Sequence, residues 1–493
     1  MLPYQTLLQL DRQAATPLAQ QLSAALMGLI QQGLVPAGTR LPGTRTLATL
    51  LRVHRETVAL AFEELAAQGW LDIQPARAAV VSRHLPDVSA TPLAPVPAGM
   101  AARAGFTFPS GAPVPAPTRP LALTLDEGSP DGRLAPLAAL ARNYRRASHH
   151  LATPAARLGY GDPNGVPRLR QQLARYLRAT RGVPAEPEHI FTTRGSIMGV
   201  QLLAQLVLTP GDVVVVAERS YQAAEAIFQQ AGARLHRVGL DAQGIVVDEV
   251  AALCQQQRVR LLYLTPHHHF PTTVTLSAPR RMQLLALADA HDFIILEDDY
   301  DFDYHYDGSP ILPLASADRH GRVLYVGSLS KALAPAIRLG YIVAPSDVIA
   351  ALSPLRRLVD RQGDVLLEEA VAELLAEGEF TRHLKRARRH YHQRRDLACQ
   401  VLRTELAVWL TFTVPAGGLA IWGQFHPVVQ LSQLVAHCRQ LGLGMSDGTK
   451  YRVMGIADGS VRLGFASLTP EEWTQAISLL KQSLQTLYPS HTR

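Results

Sequence analysis

The sequence predicts a multidomain chain in which a small, mainly helical unit precedes a larger α/β domain. Its length of 493 residues exceeds what one ordinary hydrophobic core organises. A proline-rich stretch separates two regions of different periodicity, helical before it and mixed after it. After that stretch, short apolar runs alternate with helical segments, which is the pattern of a parallel sheet with crossover helices.

Composition narrows the possible classes of protein. Hydrophobic residues make up 47% of the chain, which predicts a soluble globular protein, and the formal net charge of +7 favours a polyanionic partner. Cys254, Cys399 and Cys438 form no CxxC unit, so we expect neither a disulfide scaffold nor a cysteine zinc site. A signal peptide and long apolar runs are absent from the sequence, so we expect a cytoplasmic location and no membrane partner.

The first 70 residues predict three helices. Residues 17–33 carry apolar side chains at helical spacing, and Gly33 ends the segment. Residues 41–53 and 54–70 predict two shorter helices joined tightly, as in a helix-turn-helix, although hydrophobic spacing alone favours an ordinary helical hairpin. The side chains predicted to face the core are Leu18, Leu22, Ala25, Leu26, Leu29, Ile30, Val58, Phe62 and Leu65.

This stretch resembles the GntR-type winged helix-turn-helix almost throughout, including the turn PAGTRLP at 36–42 and the start RETV of the recognition helix at 55–58. The resemblance implies an α+β DNA-binding domain over residues 10–83, with a double-stranded DNA operator as its partner. It places six residues near phosphates or base edges, namely Arg40, Arg45, Arg52, Arg55, Thr57 and Arg77. The wing departs from the pattern, because IQPARAAVVS at 73–82 lacks the usual Gly-x-Gly turn.

Residues 84–120 are rich in proline and alanine and predict an extended tether. At about 3 Å per residue the tether would span on the order of 100 Å at most. Such a length would allow the DNA-binding domain of one subunit to lie over the body of another.

The region after the tether predicts a parallel sheet. Four apolar runs read as its strands, at 212–218, 260–265, 293–298 and 322–328. From about residue 350 the pattern becomes mostly helical. It closes with a smaller α+β unit that contains GGLAIWGQF and SVRLGFASL.

The ends of two predicted strands carry residues with cofactor chemistry. Lys331 follows a strand, and a lysine in a pocket can lose its proton by desolvation and become nucleophilic. Ser328, Ser330 and Arg338 flank it and are suited to a phosphate. Asp298 ends a second strand, where its carboxylate would pair with a protonated ring nitrogen. These are the groups that pyridoxal 5'-phosphate (PLP) requires.

A second phosphate seat is predicted at a strand-to-helix turn. In FTTRGSI, at 191–197, Gly195, Ser196 and Ile197 precede or open a helix. The backbone N–H groups and the positive dipole of a helix N-terminus favour an anion there.

From roughly residue 120 to the C-terminus these motifs resemble the fold-type-I aminotransferases. EDDYDFDY at 297–304 is most similar to the aminotransferase-like half of MocR-type transcription regulators. The resemblance implies an α/β PLP-dependent transferase-like domain over residues 121–490, with a small α+β subdomain. It implies that Lys331 forms the internal aldimine and that Tyr221 and His268 contact the pyridine ring. By the same resemblance, Tyr300 bonds the phenolic oxygen and Arg462 grips a ligand carboxylate.

The segment TPHHHFPTT at 265–273 contains three consecutive histidines, which raises the question of a metal site. Adjacent histidines on one extended stretch cannot easily converge on one ion, so we expect none here.

The resemblance implies a MocR-type, PLP-dependent transcription regulator that senses PLP or an amine or amino-acid effector. It also implies a domain-swapped homodimer on paired operator half-sites. The alternative is a working aminotransferase with an N-terminal DNA-binding module. A third possibility is a DNA-binding scaffold without cofactor. If the chain is a regulator, we expect at most residual transaminase activity.

Overall fold

The computed structural model divides the chain into two compact units, Met1–Ala116 and Pro117–Arg493. It describes residues 3–14, 16–73, 78–86, 105–107, 121–151, 159–451 and 458–491. Arg77, the predicted wing residue, and most of the predicted tether lie outside the described residues.

The N-terminal unit has the three predicted helices, preceded by a short helix that was not predicted and followed by a short antiparallel ribbon. Its elements are α1 (Tyr4–Leu7), α2 (Leu18–Gln31), α3 (Thr44–Leu51), α4 (Arg55–Ala67), β1 (Leu71–Asp72) and β2 (Val80–Val81). The turn between α3 and α4 forms because Arg52 adopts a left-handed conformation, with φ of 53°, and ends α3. The winged helix-turn-helix prediction is therefore confirmed in its fold.

The core of this unit consists of the faces that the sequence predicted to be apolar. Leu22 and Leu26 of α2 and Val58 and Leu65 of α4 are fully buried, and Phe62 is 3% exposed. Burying each such side chain contributes about 1.5–3 kcal/mol. The helix-turn-helix is thus held by its own core.

The large unit is an α/β domain with a smaller α+β part. Its strands are β3 (Leu123–Leu125), β4 (Ile190–Thr193), β5 (Val213–Ala217), β6 (Arg234–Val238), β7 (Leu240–Asp241), β8 (Gly244–Ile245), β9 (Leu261–Leu264), β10 (Ile294–Asp299), β11 (Val323–Ser328), β12 (Gly340–Val343), β13 (Leu410–Phe412), β14 (Ala420–Phe425), β15 (Leu443–Met445) and β16 (Ser460–Gly464). Its helices are α5 (Leu137–Leu151), α6 (Pro167–Arg181), α7 (Ser196–Val207), α8 (Gln222–Gln230), α9 (Val247–Gln256), α10 (Ala278–His291), α11 (Leu314–Ala317), α12 (Ser346–Val359), α13 (Val365–Ala376), α14 (Glu379–Glu405), α15 (Leu431–Gln440) and α16 (Pro470–Leu487).

The main sheet has the strand order β4-β12-β11-β10-β9-β5-β6. All neighbours are parallel except β12, which runs antiparallel to both β11 and β4. The predicted runs at 212–218, 260–265, 293–298 and 322–328 are β5, β9, β10 and β11. Because these four strands are parallel, the residues that follow them meet at one edge of the sheet, where open α/β sheets bind ligands.

The smaller α+β part is built mainly from the C-terminal strands. β13, β14 and β16 form an antiparallel sheet, and β15 pairs in parallel with β3 from the start of the unit. The predicted α+β subdomain is therefore present. Among the described helices, none has both the length and the apolarity to cross a bilayer.

Candidate cofactor site and DNA-binding unit

A cavity of about 710 Å³ lies at the edge where the parallel strands end. Nine of the residues singled out from the sequence line it, namely Ser196, Ile197, Tyr221, Asp298, Tyr300, Ser328, Ser330, Lys331 and Arg338. Gly195 lies directly beside it as the N-cap of α7. Residues from separate strand ends thus share one space.

Lys331 presents its amine to this cavity. Its Nζ atom donates a hydrogen bond of 2.8 Å to the carbonyl oxygen of Gly128. Burial lowers the pKa of Lys331, and the nearby guanidinium of Arg462 lowers it further. A larger fraction of the amine is therefore uncharged and nucleophilic than for a lysine in water.

Asp298 sits at the end of β10 with a half-satisfied carboxyl group. Its Oδ2 atom accepts a hydrogen bond of 2.9 Å from Tyr263 Oη, whereas its buried Oδ1 atom has no partner among the described residues. Burial raises the pKa of Asp298 from 3.8 to about 7. A cationic ring nitrogen at Oδ1 would satisfy the orphaned oxygen and stabilise the carboxylate.

The other end of the cavity is suited to a phosphate. Ser196 opens α7, so that unpaired backbone N–H groups of the first turn point into this region. Ser330 Oγ is buried, and within the described chain it has no hydrogen-bond partner. Gly195 has φ of 81°, and a Cβ atom there would lie 2.7 Å from Arg338 Nη2. Only glycine therefore lets the turn and the guanidinium approach so closely.

Aromatic side chains form the walls between these two ends. Tyr221 and Phe270 meet edge to face, with ring centroids 5.2 Å apart. Tyr300 lines the cavity and donates a hydrogen bond of 2.7 Å to the carbonyl oxygen of His268. A flat ring in the cavity would contact these side chains.

His268 does not lie where the sequence placed it. Its side chain is 1% exposed and is turned away from the cavity, and Nδ1 is 2.8 Å from Asp301 Oδ1. Phe270, two residues later, lines the cavity instead. The physical reason is that Tyr300 binds the backbone of His268, which leaves the imidazole on the far side of the chain.

Arg462 lies behind the cavity wall. Its guanidinium donates hydrogen bonds to the carbonyl oxygens of Glu127 (2.8 Å) and Pro271 (2.7 Å), and it is 3.4 Å from Tyr300 Oη. The side chain is 1% exposed and also lies over the ring of Phe270. Arg462 therefore contacts the wall residues rather than the open space.

Sequence reasoning missed several residues of this site. Tyr263, which binds Asp298, was part of a recognised strand, and its position beside β10 could have revealed it, because Tyr263 pairs in register with Leu296. Glu127 lines the cavity and binds Lys450 and Tyr451, which come from distant parts of the chain. No sequence signal indicated that contact.

Two of the three consecutive histidines converge, contrary to the expectation from their spacing. His267 and His268 meet edge to face, with ring centroids 4.5 Å apart, and His305 joins them from the segment after β10. The imidazoles of adjacent residues converge because the loop bends there. His305 lies more than 30 residues further along the chain, so local spacing could not reveal it.

In the N-terminal unit the predicted DNA contacts lie around the helix-turn-helix. Arg45 lies in α3, Arg55 begins α4, and Arg52 occupies the turn between them. These three side chains and that of Arg40 are exposed, and Thr57 is half-buried in the first turn of α4. Exposed arginines at the start of such a helix can reach phosphates and guanine edges.

Comparison with known proteins supports the assignment of both the N-terminal DNA-binding unit and the large aminotransferase-like unit. Residues 18–81 match the family "Bacterial regulatory proteins, gntR family", and residues 123–480 match "Aminotransferase class I and II". The chain is 29% identical to the probable rhizopine catabolism regulatory protein MocR of Rhizobium meliloti, over 98% of this chain and 97% of that one. It is 30% identical to the HTH-type transcriptional regulator TauR of Rhodobacter capsulatus, over 92% and 94%.

The large unit also resembles solved aminotransferases. One is the α-aminoadipate aminotransferase LysN of Thermus thermophilus, complexed with N-(5'-phosphopyridoxyl)-L-leucine. Its TM-score is 0.68 at 25% identity, covering 75% of this chain and 93% of that one. The orphaned Asp298 oxygen, the amine of Lys331 and the phosphate seat fit the same cofactor, which is pyridoxal 5'-phosphate. The chain belongs to the MocR subfamily of GntR-type transcriptional regulators, in which a winged helix-turn-helix is joined to a PLP-dependent aminotransferase-like domain.

Proposed function

We propose that this regulator senses PLP, or an amine or amino acid that reacts with it, through attachment at Lys331, and that the ligand state of the cavity controls DNA binding. The observation that carries the proposal is the pairing of a nucleophilic lysine with an orphaned carboxylate oxygen in one cavity. Because a chain with this cavity also carries a DNA-binding unit, sensing rather than turnover is the better account of both.

The residues of the cavity have distinct roles in this proposal. PLP, when bound, supplies an aldehyde that condenses with amines and an electron-withdrawing ring. Lys331 offers the amine, whose lowered pKa keeps part of it unprotonated. Asp298 would hold the ring nitrogen in its protonated form. Ser196, Ser330 and Arg338 would hold the phosphate.

An amino-acid effector would bring a carboxylate next to Tyr300. We propose that Arg462 receives it, since a planar guanidinium binds a carboxylate through two hydrogen bonds. Arg462 is 3.4 Å from Tyr300 Oη and is bonded to the backbone of Glu127. A carboxylate can therefore reach Arg462 only if the Tyr300 side chain or the Glu127 backbone moves. Effector binding would in this way rearrange the wall of the cavity.

We also propose a domain-swapped homodimer that binds two operator half-sites. The support is the long proline-rich stretch at 84–120, which is long enough to carry one subunit's DNA-binding unit over its partner. Two DNA-binding units at a fixed separation would read half-sites related by two-fold symmetry. Analytical ultracentrifugation together with operator footprinting would test this, and a monomer that protects a single half-site would refute it.

The sensing proposal is tested with three full-length proteins: wild type, Lys331→Ala and the control Lys481→Ala. Lys481 lies in α16 and pairs with Glu405, away from the cavity. After saturation with PLP, borohydride reduction and mass spectrometry, wild type and Lys481→Ala are expected to carry one covalent pyridoxyl group. Lys331→Ala is expected to carry none.

The same proteins are then titrated onto labelled promoter DNA with and without PLP and a panel of amino acids. We expect ligand-dependent DNA binding in wild type and Lys481→Ala, and ligand-independent binding in Lys331→Ala. Ligand dependence that survives in Lys331→Ala would overturn the proposal. Repeated turnover of an amino donor and a 2-oxo acid, with no effect of either on DNA binding, would instead support the aminotransferase alternative.

A further inference from the structure

Three buried imidazoles meet outside the cofactor cavity. His267, His268 and His305 are 3%, 1% and 8% exposed, and one ring nitrogen of each lies within 4.8 Å of those of the other two. We call this set the histidine cluster. It joins the loop after β9 to the segment after β10.

The ring nitrogens of the histidine cluster lack the hydrogen bonds that buried imidazoles normally make. Both nitrogens of His267, Nε2 of His268 and Nδ1 of His305 are buried, and no described residue bonds to them. Buried polar atoms are rarely left in this state, because they have lost water without gaining a partner. Several such atoms on three imidazoles that lie this close together therefore indicate a bound species that they share.

One imidazole is already oriented as a metal ligand. His268 Nδ1 is 2.8 Å from Asp301 Oδ1, so the carboxylate fixes the tautomer in which Nε2 carries a lone pair. A carboxylate bonded to the far nitrogen of a metal-binding histidine is a common supporting contact, and it also raises the basicity of the ligand.

The backbone of Gly417 packs closely against the His268 ring, and a side chain at this position would collide with Nε2. A Cβ atom on Gly417 would lie 2.3 Å from that nitrogen. Gly417 also forms a backbone bridge with His305, which places this turn against the histidine cluster. Any other residue at position 417 would occupy the volume next to the lone pair.

Nearby charges act in both directions, because the guanidinium groups of Arg181 and Arg281 oppose a positive charge at His267. Arg181 lies behind the histidine cluster, and its guanidinium is 3.0 Å from Asp303 and 3.6 Å from Asp299. Arg281 is also close, but its guanidinium is directed to backbone carbonyl oxygens. Asp301 adds a carboxylate in direct contact with the cluster.

We propose that the histidine cluster is a binding site for one divalent transition-metal ion of the zinc type. Three imidazoles and a water molecule are a common four-coordinate set for Zn²⁺. Zn–N bonds of about 2.1 Å at tetrahedral angles place the nitrogens about 3.4 Å apart. The ring nitrogens lie within 4.8 Å of one another, so any pair more than about 3.4 Å apart would move closer on binding the ion. The ion would tie together the loop after β9, the segment after β10 and the turn at Gly417.

The bound ion would also bear on the effector site. Tyr300, which lines the cavity, donates its hydrogen bond to the carbonyl oxygen of His268, and Asp301 is the next residue in the chain. Metal binding would hold this backbone carbonyl, and with it the Tyr300 side chain, in one position. The proposal is independent of the sensing mechanism, because Lys331→Ala is expected to retain the metal.

The test uses full-length, PLP-saturated protein that is stripped with a chelator, equilibrated with Zn²⁺ or Co²⁺ and desalted. Wild type is expected to retain one ion per chain by elemental mass spectrometry. Its Co²⁺ form should show the strong visible absorption of a tetrahedral site. His267→Asn and His305→Gln should lose both signals. The control His269→Gln should keep them, because His269 lies in the same loop but bonds to Thr272 Oγ1.

Circular dichroism and PLP content would establish that each variant is folded. If His267→Asn does not fold, the test rests on His305→Gln, because His305 is the most exposed of the three histidines. Equal metal retention by all variants would mean that ions bind elsewhere among the 18 histidines and would overturn the proposal. Loss of the ion from wild type during desalting would also overturn it and leave buried water as the shared partner.

Discussion

Replacing Asp298 by asparagine is expected to stabilise the apoprotein while weakening its hold on PLP. The two shapes are nearly identical, and the amide oxygen can still accept the hydrogen bond from Tyr263. What the substitution removes is a buried negative charge, one of whose oxygens has no partner in the described part of the chain. The buried charge destabilises the apoprotein but strengthens the binding of PLP. Asp298→Asn should therefore raise the stability of the apoprotein and lower its affinity for PLP.

The size of the stabilisation of the apoprotein follows from the pKa of Asp298. A rise from 3.8 to about 7 is roughly 3 pKa units, or about 4 kcal/mol at 1.36 kcal/mol per unit. Because the folded-state pKa is raised, the protonated group favours the folded state at low pH. That contribution is lost as the pH rises from about 4 to about 7. Between pH 5 and pH 8 the loss is roughly 2.5 kcal/mol.

The assay is urea denaturation of full-length apoprotein at pH 5 and pH 8, followed by fluorescence of the large unit. The difference in unfolding free energy between wild type and Asp298→Asn should change by roughly 2.5 kcal/mol between the two pH values, since other titrating groups cancel. For PLP, loss of a charged hydrogen bond of about 1.5–3 kcal/mol should raise the dissociation constant about 10- to 150-fold.

A matched variant separates the charge from the hydrogen bond. Tyr263→Phe keeps the carboxylate but removes the contact that lowers the pKa of Asp298, so its pH dependence should be at least as steep as that of wild type. Parallel pH profiles for wild type and Asp298→Asn would refute the reasoning, as would unchanged PLP affinity in the asparagine variant.

Three further predictions concern other parts of the molecule. Gly195→Ala, strained at positive φ and in collision with Arg338, should lower PLP affinity at least tenfold and cost about 1–3 kcal/mol of stability, as measured by cofactor titration and denaturation. Arg55→Ala should weaken operator binding and reduce its salt dependence, with PLP content unchanged, in gel-shift titrations at several ionic strengths. Phe62→Ala should destabilise the N-terminal unit by about 3–5 kcal/mol, so that DNA binding is lost on warming while PLP absorbance persists.

The sequence predicted best what is determined locally. An apolar run bounded by Gly or Ser identifies a buried strand, and the residues at its end must lie at the sheet edge. This is why Asp298 and Lys331 were placed in one site although they are separated in the chain. The helix-turn-helix was predicted for a related reason: its residues contact one another within a short segment, and its turn has a recognisable sequence.

The errors arose where loops decide which side a residue faces. His268 was assigned to the cavity by its place in a motif, but a loop has no fixed alternation of sides. The hydrogen bond from Tyr300 to its backbone decides the orientation instead. The approach of His305 likewise depends on how the segment after β10 returns toward Gly417, which no local pattern encodes.

The end of β10 explains how one short segment can serve two sites. Side chains alternate between the two sides at the end of β10 and in the two residues after it, so Asp298 and Tyr300 line the cavity and Asp299 and Asp301 do not. Asp299 accepts a hydrogen bond of 2.5 Å from Tyr325 Oη, and Asp301 bonds to the histidine cluster. Both outward contacts anchor the strand end. A ligand in the cavity is therefore expected to move the Tyr300 side chain and the flanking loops rather than the strand, since shifting the strand would break buried hydrogen bonds on its opposite face.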